Sequence, residues 1–336
     1  MKEDPTAEQR KKDHIELALA SQVSHADERF YYEPIMASHQ DGKDKLPHSF
    51  LNKSLQLPLW VSSMTGGTQW AKVINQNLAK ACNEFGMGMG LGSCRALLYD
   101  DTHLKDFQVR SLIGDQPLFT NLGIAQLERI ANEKSWDKVS ELIKKLEADG
   151  LIVHVNPFQE ISQPEGDLIQ RSPLETISAL LENIDAPIIV KEVGQGMGYR
   201  SLEALLKLPL AAVDFAAHGG TNFTKIELAR SENPDNLSPL TTVGHSAEEM
   251  LKLCNQLVDD LGEKVECKEL IISGGVRDFL DGYYLIENSK LPAIYGQAGA
   301  FLKHARGEYE ELQKYVASQQ KGLEMAYAYL TIKKPI

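Results

Sequence analysis

The chain has 336 residues, 43% of them apolar, and a formal net charge of −12 at pH 7, ample material for a large core. That acidic balance excludes a general nucleic-acid binder or a protein held on anionic membranes by charge, since both need a basic field. A phosphorylated ligand must therefore be met by a local cationic or backbone-amide site.

The four cysteines, Cys82, Cys94, Cys254 and Cys267, form no CxxC pair and read as reduced thiols of a cytoplasmic enzyme, neither a zinc site nor a disulfide framework. The first residues are charged, and no run approaches membrane-spanning length. Residues 1–57, rich in charge and histidine, read as an arm or cap ahead of a unit spanning 58–336. His14 and His25 lack metal-ligand spacing.

Eight short apolar runs follow: 58–64, 86–92, 117–123, 151–156, 187–193, 211–218, 269–275 and 293–299. Between them Gln69–Phe85, Trp136–Asp149, Pro173–Asn183 and Ala247–Leu261 carry apolar residues at helical spacing. The glycines of 86-GMGMGLG-92 disfavour a regular ladder. Alternating strands and helices imply parallel βαβ units, and eight of them imply a closed (β/α)8 barrel of the TIM type. An open doubly wound sheet is the competing arrangement. From about Glu308 the chain reads as a last helix with no partner strand.

The polar residues cluster where these strands end, the face on which such barrels build their sites. They include Thr65-Gly66-Gly67, Ser93 to Arg95, Asn121, Gln159-Glu160, Lys191, His218 to Thr221, Gly274-Gly275 and Ala298-Gly299. Glycines after strands seven and eight suit phosphate, because bare N–H groups can approach it closely. Lys191 lies inside a buried run, where an ammonium needs an anion or another acceptor. Alternation sends Glu192 to the opposite face of the strand. The run 194-GQGMG-198 lacks full dinucleotide-binding spacing.

Several motifs together resemble those of the type 2, FMN-dependent isopentenyl diphosphate isomerases: 10-RKKDH-14, 64-MTGG-67, 93-SCR-95, 121-NLG-123, 154-HVNPFQE-160, 188-IIVKEVG-194, 219-GGTN-222, 273-SGGVR-277 and 298-AG-299. The resemblance runs from about Arg10 to Leu302. It implies a TIM barrel with FMN at its mouth, Mg2+, NADPH as the reductant of FMN, and a homo-oligomer (a tetramer or octamer). Glu160 would bind the Mg2+ that bridges a diphosphate. Gln159 would sit over the substrate's hydrocarbon part or bond within the pocket, and His154 and Asn156 would point into the site from one strand face. Arg10, Lys11, His14, Ser93 and Arg95 would meet the substrate.

For FMN, the resemblance implies Met64, Thr65 and Gly66 at the ring or its edge, Ser93 and Asn121 bonding it, and Lys191 near N1/O2. Thr221, Gly274, Gly275, Val276, Arg277, Ala298 and Gly299 would receive the ribityl chain and phosphate. Two stretches differ from the family pattern: Ala217-His218, near the expected ribityl chain, and Lys290-Leu291-Pro292 before strand eight.

The implied reaction moves a proton across an allylic unit without net redox change, with flavin N5 as acid and base. This fits the lack of paired carboxylates or a nucleophile triad. One alternative is a 2-hydroxy-acid oxidase or dehydrogenase on the same barrel, whose usual His-Gly-Gly-Arg run is here 218-HGGT-221. A non-catalytic flavin- or phosphate-binding barrel is the other; it leaves Gln159 and Glu160 unexplained.

Overall fold

The computed structural model describes residues 6–63, 69–231 and 237–336. Eight strands close into one parallel barrel: β1 (Leu59–Val61), β2 (Gly88–Gly90), β3 (Leu118–Gly123), β4 (Gly150–His154), β5 (Ile188–Lys191), β6 (Ala212–Asp214), β7 (Glu269–Ser273) and β8 (Ala293–Gln297). Closure comes from β8 pairing with β1, Tyr295 opposite Leu59. Each strand lies within one of the eight apolar runs, save that β4 begins one residue ahead of its run, at Gly150. Helices cover the outside, so the strands are buried on both faces and need near-continuous apolar sequence. The helices read at Gln69–Phe85, Pro173–Asn183 and Ala247–Leu261 form over those spans, and the one read at Trp136–Asp149 is Asp137–Lys145.

The glycines of β2 have a packing cause. A Cβ on Gly88 would lie 2.4 Å from Trp60 Cζ3, and one on Gly90 would lie 2.4 Å from Ile152 Cδ1. Trp60 crosses the barrel interior, and the neighbouring strand leaves it room. With Phe119, Ile152, Ile189, Ala212, Ile271 and Ile294 it forms an apolar layer inside the barrel.

Below that layer an antiparallel hairpin, His48–Phe50 with Lys53–Leu55, stops the end opposite the C-terminal ends of the strands. Phe50 and Leu55 are fully buried in the same cluster, with the Phe50 ring 6.1 Å from that of Trp60. Burying side chains of this size stabilises by roughly 1.5–3 kcal/mol each.

Ahead of the hairpin, helix α1 (Ala7–Leu17) buries none of its residues. Phe30–Tyr32 then pairs antiparallel with Leu330–Ile332, so the last helix, Tyr309–Tyr329, does lead to a strand with a partner. Further helices include α2 (Gln69–Phe85), α3 (Pro157–Ser162), α4 (Phe223–Arg230) and α5 (Tyr309–Tyr329). No helix among the described residues is long and apolar enough to cross a membrane.

Candidate active site

Two residues beyond the apolar layer, each strand or its end presents one more inward position. These are Ser62, Gly90, Asn121, His154, Lys191, Asp214, Ser273 and Gly296. All are polar or glycine, so the barrel has a dry floor of hydrocarbon and a ring of polar groups above it. Strand alternation sets this spacing. The mouth cavity, about 340 Å³, is lined by Ser62, Ser63, Lys191, Ser273 and the loops after β6, β7 and β8.

Three neighbours in register dominate the ring, with His154 beside Lys191 and Lys191 beside Asp214. Asn121 Oδ1 lies 2.6 Å from His154 Nδ1 and Asn121 Nδ2 donates to Leu91 O at 3.1 Å, so the imidazole is fixed from behind. Burial, helped by the charge of Lys191, pushes His154 down to about 3, and the ring is neutral at physiological pH. Lys191 is buried, and its Nζ donates to Glu192 O at 2.6 Å. The Glu192 carboxylate points away from the mouth, as alternation requires. Its Oε2 accepts the N–H groups of Gly194, Gln195 and Gly196 at 2.7, 2.6 and 3.0 Å. The glycines of 194–198 therefore wrap a carboxylate; Gly194 and Gly196 have φ of +129° and +71°.

At the rim of β4 the chain turns into α3. Asn156 is no longer part of the strand; it stands at the N-terminal boundary of α3, with Pro157 opening the helix. Its Nδ2 donates to Gln159 Oε1 at 3.1 Å and to Glu160 Oε1 at 3.0 Å. Glu160 Oε2 accepts the Asp167 N–H at 2.8 Å, so both carboxylate oxygens are oriented. Gln159 Nε2 donates to Glu227 Oε1 on α4 at 3.0 Å, and Glu227 pairs with Arg230. Arg95 pairs with Asp167 Oδ2 at 3.2 Å, and Arg129 pairs with Asp167 Oδ1. These links draw 154–160, the loop to Asp167 and α4 into one polar network.

Glycine-rich loops shape the opposite side. Gly274 and Gly275 have φ of +89° and +73°, and a Cβ on Gly274 would lie 2.1 Å from Ala217 O. Gly299 opens the helix after β8, and the nearest atom to a Cβ there is Thr221 Oγ1 at 3.8 Å. Gln297 Nε2 donates to Val276 O at 3.1 Å, and Tyr315 of α5 donates its hydroxyl to Gln297 Oε1 at 2.6 Å. The last helix thus braces the loop after β7. The Arg277 guanidinium is tied to Asp281 at 2.9 Å and exposed, so its backbone, more than its charge, belongs to the cradle.

The structure brings Asn121, His154, Lys191, Thr221, Gly274, Gly275, Val276, Ala298 and Gly299 to one mouth, with Asn156, Gln159 and Glu160 at its rim. Ser93 and Arg95 are exposed on the turn after β2. Arg10, Lys11 and His14 lie on the exposed α1, outside the buried ring. Met64, Thr65 and Gly66 lie outside the described residues. Of the two departures, Ala217 is buried where Gly274 packs on its backbone while the His218 side chain is exposed. Lys290-Leu291-Pro292 lies before β8, at the stoppered end, where Pro292 O accepts the Leu270 N–H.

Sequence reading missed Asp214, Ser62, Ser273, Glu227, Asp167 and Gln297. Asp214 and Ser273 could have been found by counting two residues beyond the apolar floor. Glu227 and Asp167 join only through tertiary contacts. Among the described residues no group of three or more His, Cys, Asp and Glu could hold a metal ion.

No protein-family model matches the chain. Among solved structures it resembles a mandelate oxidase variant with (S)-mandelic acid, at 12% identity and a TM-score of 0.58 over 92% of this chain and 88% of that one. A flavocytochrome b2 variant with sulfite bound gives 14% identity and a TM-score of 0.60, over 89% and 71% of the two chains. At such identity these neighbours share the fold alone. Curated relatives are closer. The isopentenyl-diphosphate delta-isomerase of Rickettsia felis is 34% identical over 306 residues, 88% of this chain and 85% of its own. That of Rickettsia peacockii is 34% identical over 318 residues, 91% and 89% of the two chains. With this likeness along nearly its whole length, on the barrel that its motifs imply, the chain belongs to the isopentenyl-diphosphate delta-isomerase family, in its type 2 form.

Proposed function

We propose that this isomerase interconverts isopentenyl and dimethylallyl diphosphates at the barrel mouth, using FMN in its reduced form and Mg2+. The observation that carries the proposal is the meeting of two features at one opening. A buried cation, Lys191, stands in a polar ring, and the Asn156–Gln159–Glu160 turn borders it.

FMN fits these residues. In the Gly274-Gly275 and Gly299 cradle no Cβ stands between the backbone and a phosphate, and the buried hydroxyls of Ser62 and Ser63 have no partner among the described residues. Lys191 would face the N1/O2 edge, Asn121 and Ser93 would bond the ring, and Met64, Thr65 and Gly66 would lie against it. Thr221, Val276, Arg277 and Ala298 would complete the ribityl and phosphate site. When bound and reduced, FMN supplies an acid and base at N5 for an unactivated alkene.

The chain's own groups bind and orient. Glu160 presents a carboxylate already aligned by Asn156 and Asp167 N–H, suited to a hard cation on the diphosphate. Glu227 holds the amide of Gln159 in place. His154, neutral and fixed by Asn121, can hydrogen-bond the substrate without adding charge. The proposal extends to NADPH as reductant, to Arg10, Lys11, His14 and Arg95 at the diphosphate, and to an arm of residues 1–57 completing the site on the 58–336 barrel. It includes a cytoplasmic homo-oligomer, tetrameric or octameric, as the type 2 resemblance implies.

NMR of isopentenyl diphosphate in D2O with FMN, Mg2+ and NADPH tests it. Dimethylallyl diphosphate carrying deuterium should form, and should not form with oxidised FMN or with EDTA. Turnover that persists with EDTA, or without any flavin, would sink the proposal.

A further inference from the structure

Asp214 is the one acidic side chain in the polar ring. Its side chain is fully buried. Oδ1 accepts the Ser273 hydroxyl, which in turn accepts the Ala216 N–H at 2.9 Å, whereas Oδ2 has no partner among the described residues. Lys191 is its register neighbour on β5, yet the ammonium donates to Glu192 O, so the two charges sit side by side without a direct bond. The other groups around Asp214 are neutral: Ser273 on β7, Ala212 and Ile271 in the floor, and His154 beyond Lys191. A buried carboxylate with a bare oxygen is costly unless a nearby cation offsets it or a proton neutralises it.

We propose that Asp214 is the resident counter-ion of Lys191, ionised while Lys191 has no other anion beside it, and protonated when a reduced, anionic flavin ring lies there. This rests on the FMN reading above. The balance is simple. Two electrons from an external donor and one proton go to the ring, and a second proton passes from solvent to Asp214 Oδ2. Cofactor reduction is thereby coupled to proton uptake by a protein side chain. Burial already lifts the Asp214 carboxyl above its ordinary range, with Lys191, the Ser273 hydroxyl and the Ala216 N–H acting against that rise. A second anion at Lys191 cancels part of the opposing effect and raises it further. Between the two values, reduction takes up the extra proton; below both or above both it does not.

Two measurements decide this. Potentiometric titration of bound FMN as a function of pH should show a steeper fall in the wild type than in Asp214→Asn across a window above the usual aspartate range. The extra proton makes reduction tenfold harder per pH unit, ~30 mV for two electrons. Independently, carboxyl 13C NMR of the flavin-free protein, with Asp214→Asn assigning the signal, should show Asp214 titrating higher after Lys191→Met. Equal slopes in wild type and Asp214→Asn would overturn the coupling. An Asp214 titration unmoved by Lys191→Met would overturn the pairing, whether or not FMN binds. Failure of FMN to bind would instead strike the cofactor reading and the coupling built on it, with the pairing still decided by NMR.

Discussion

Single side chains at the mouth divide between those that set charge and those that set geometry. Lys191 sets charge, so Lys191→Ala should weaken reduced FMN more than oxidised FMN, measured by titrating the flavin-free protein in each redox state. Equal losses would show that the ammonium does not face the N1/O2 edge. Glu160→Gln should raise the Mg2+ needed for half-maximal turnover at least tenfold and leave the Kd for FMN near normal; a parallel loss of FMN would make Glu160 structural. His154 carries a stability signature. Its folded value near 3 lies below the ordinary 6.5, so below 6.5 the unfolded chain binds a proton that the folded one refuses. Stability is lost as pH falls from 6.5 towards 3, and His154→Asn should flatten that part of the urea-midpoint profile. At this scale the sequence was uneven. Lys191 and Glu160 stand out because a charge near an apolar run demands a reason. Asp214 escaped because its meaning depends on which strand lies beside it.

Elements were legible wherever period and length agreed. The eight barrel strands are long enough in apolar residues to be read, and the long helices have a clear apolar face. The stoppering hairpin and the Phe30–Tyr32 strand were not, since their residues lie in short stretches of mixed polarity rather than in a sustained apolar run. β2 reads poorly for the opposite reason: its glycines look like a break until Trp60 is seen to need the space. Gly88→Ala should accordingly destabilise by about 1–3 kcal/mol through overpacking, measured by denaturant unfolding. An unchanged midpoint would mean that Trp60 can swing aside. The arm invites a different trial. If Arg10 and Lys11 reach the diphosphate during turnover, replacing either by Ala should raise KM about tenfold to a hundredfold, the value of a charge-assisted bond of roughly 1.5–3 kcal/mol. A wild-type KM in the double variant removes the arm from the site.

Across the whole molecule, a segment ahead of the barrel pairs with one after it, and the last helix braces the mouth from outside. Phe30–Tyr32 pairs with Leu330–Ile332, and α5 reaches the loop after β7 through Tyr315 and Gln297. Tyr315→Phe should therefore weaken FMN several-fold. At a fixed FMN concentration about 100 times the wild-type Kd, the stabilisation on binding is about 2.7 kcal/mol, and the variant should gain less. Equal thermal shifts would show that the brace does not bear on the cofactor. The stoppered barrel has a further consequence, for sequence in time. A vessel closed at one end is loaded and emptied through one opening, so what enters first lies deepest and leaves last. FMN seated against Lys191 would have to arrive before any diphosphate, and bound diphosphate would bar its exit. Turnover would then be ordered by shape alone, and the flavin would be hardest to lose when the enzyme is busiest.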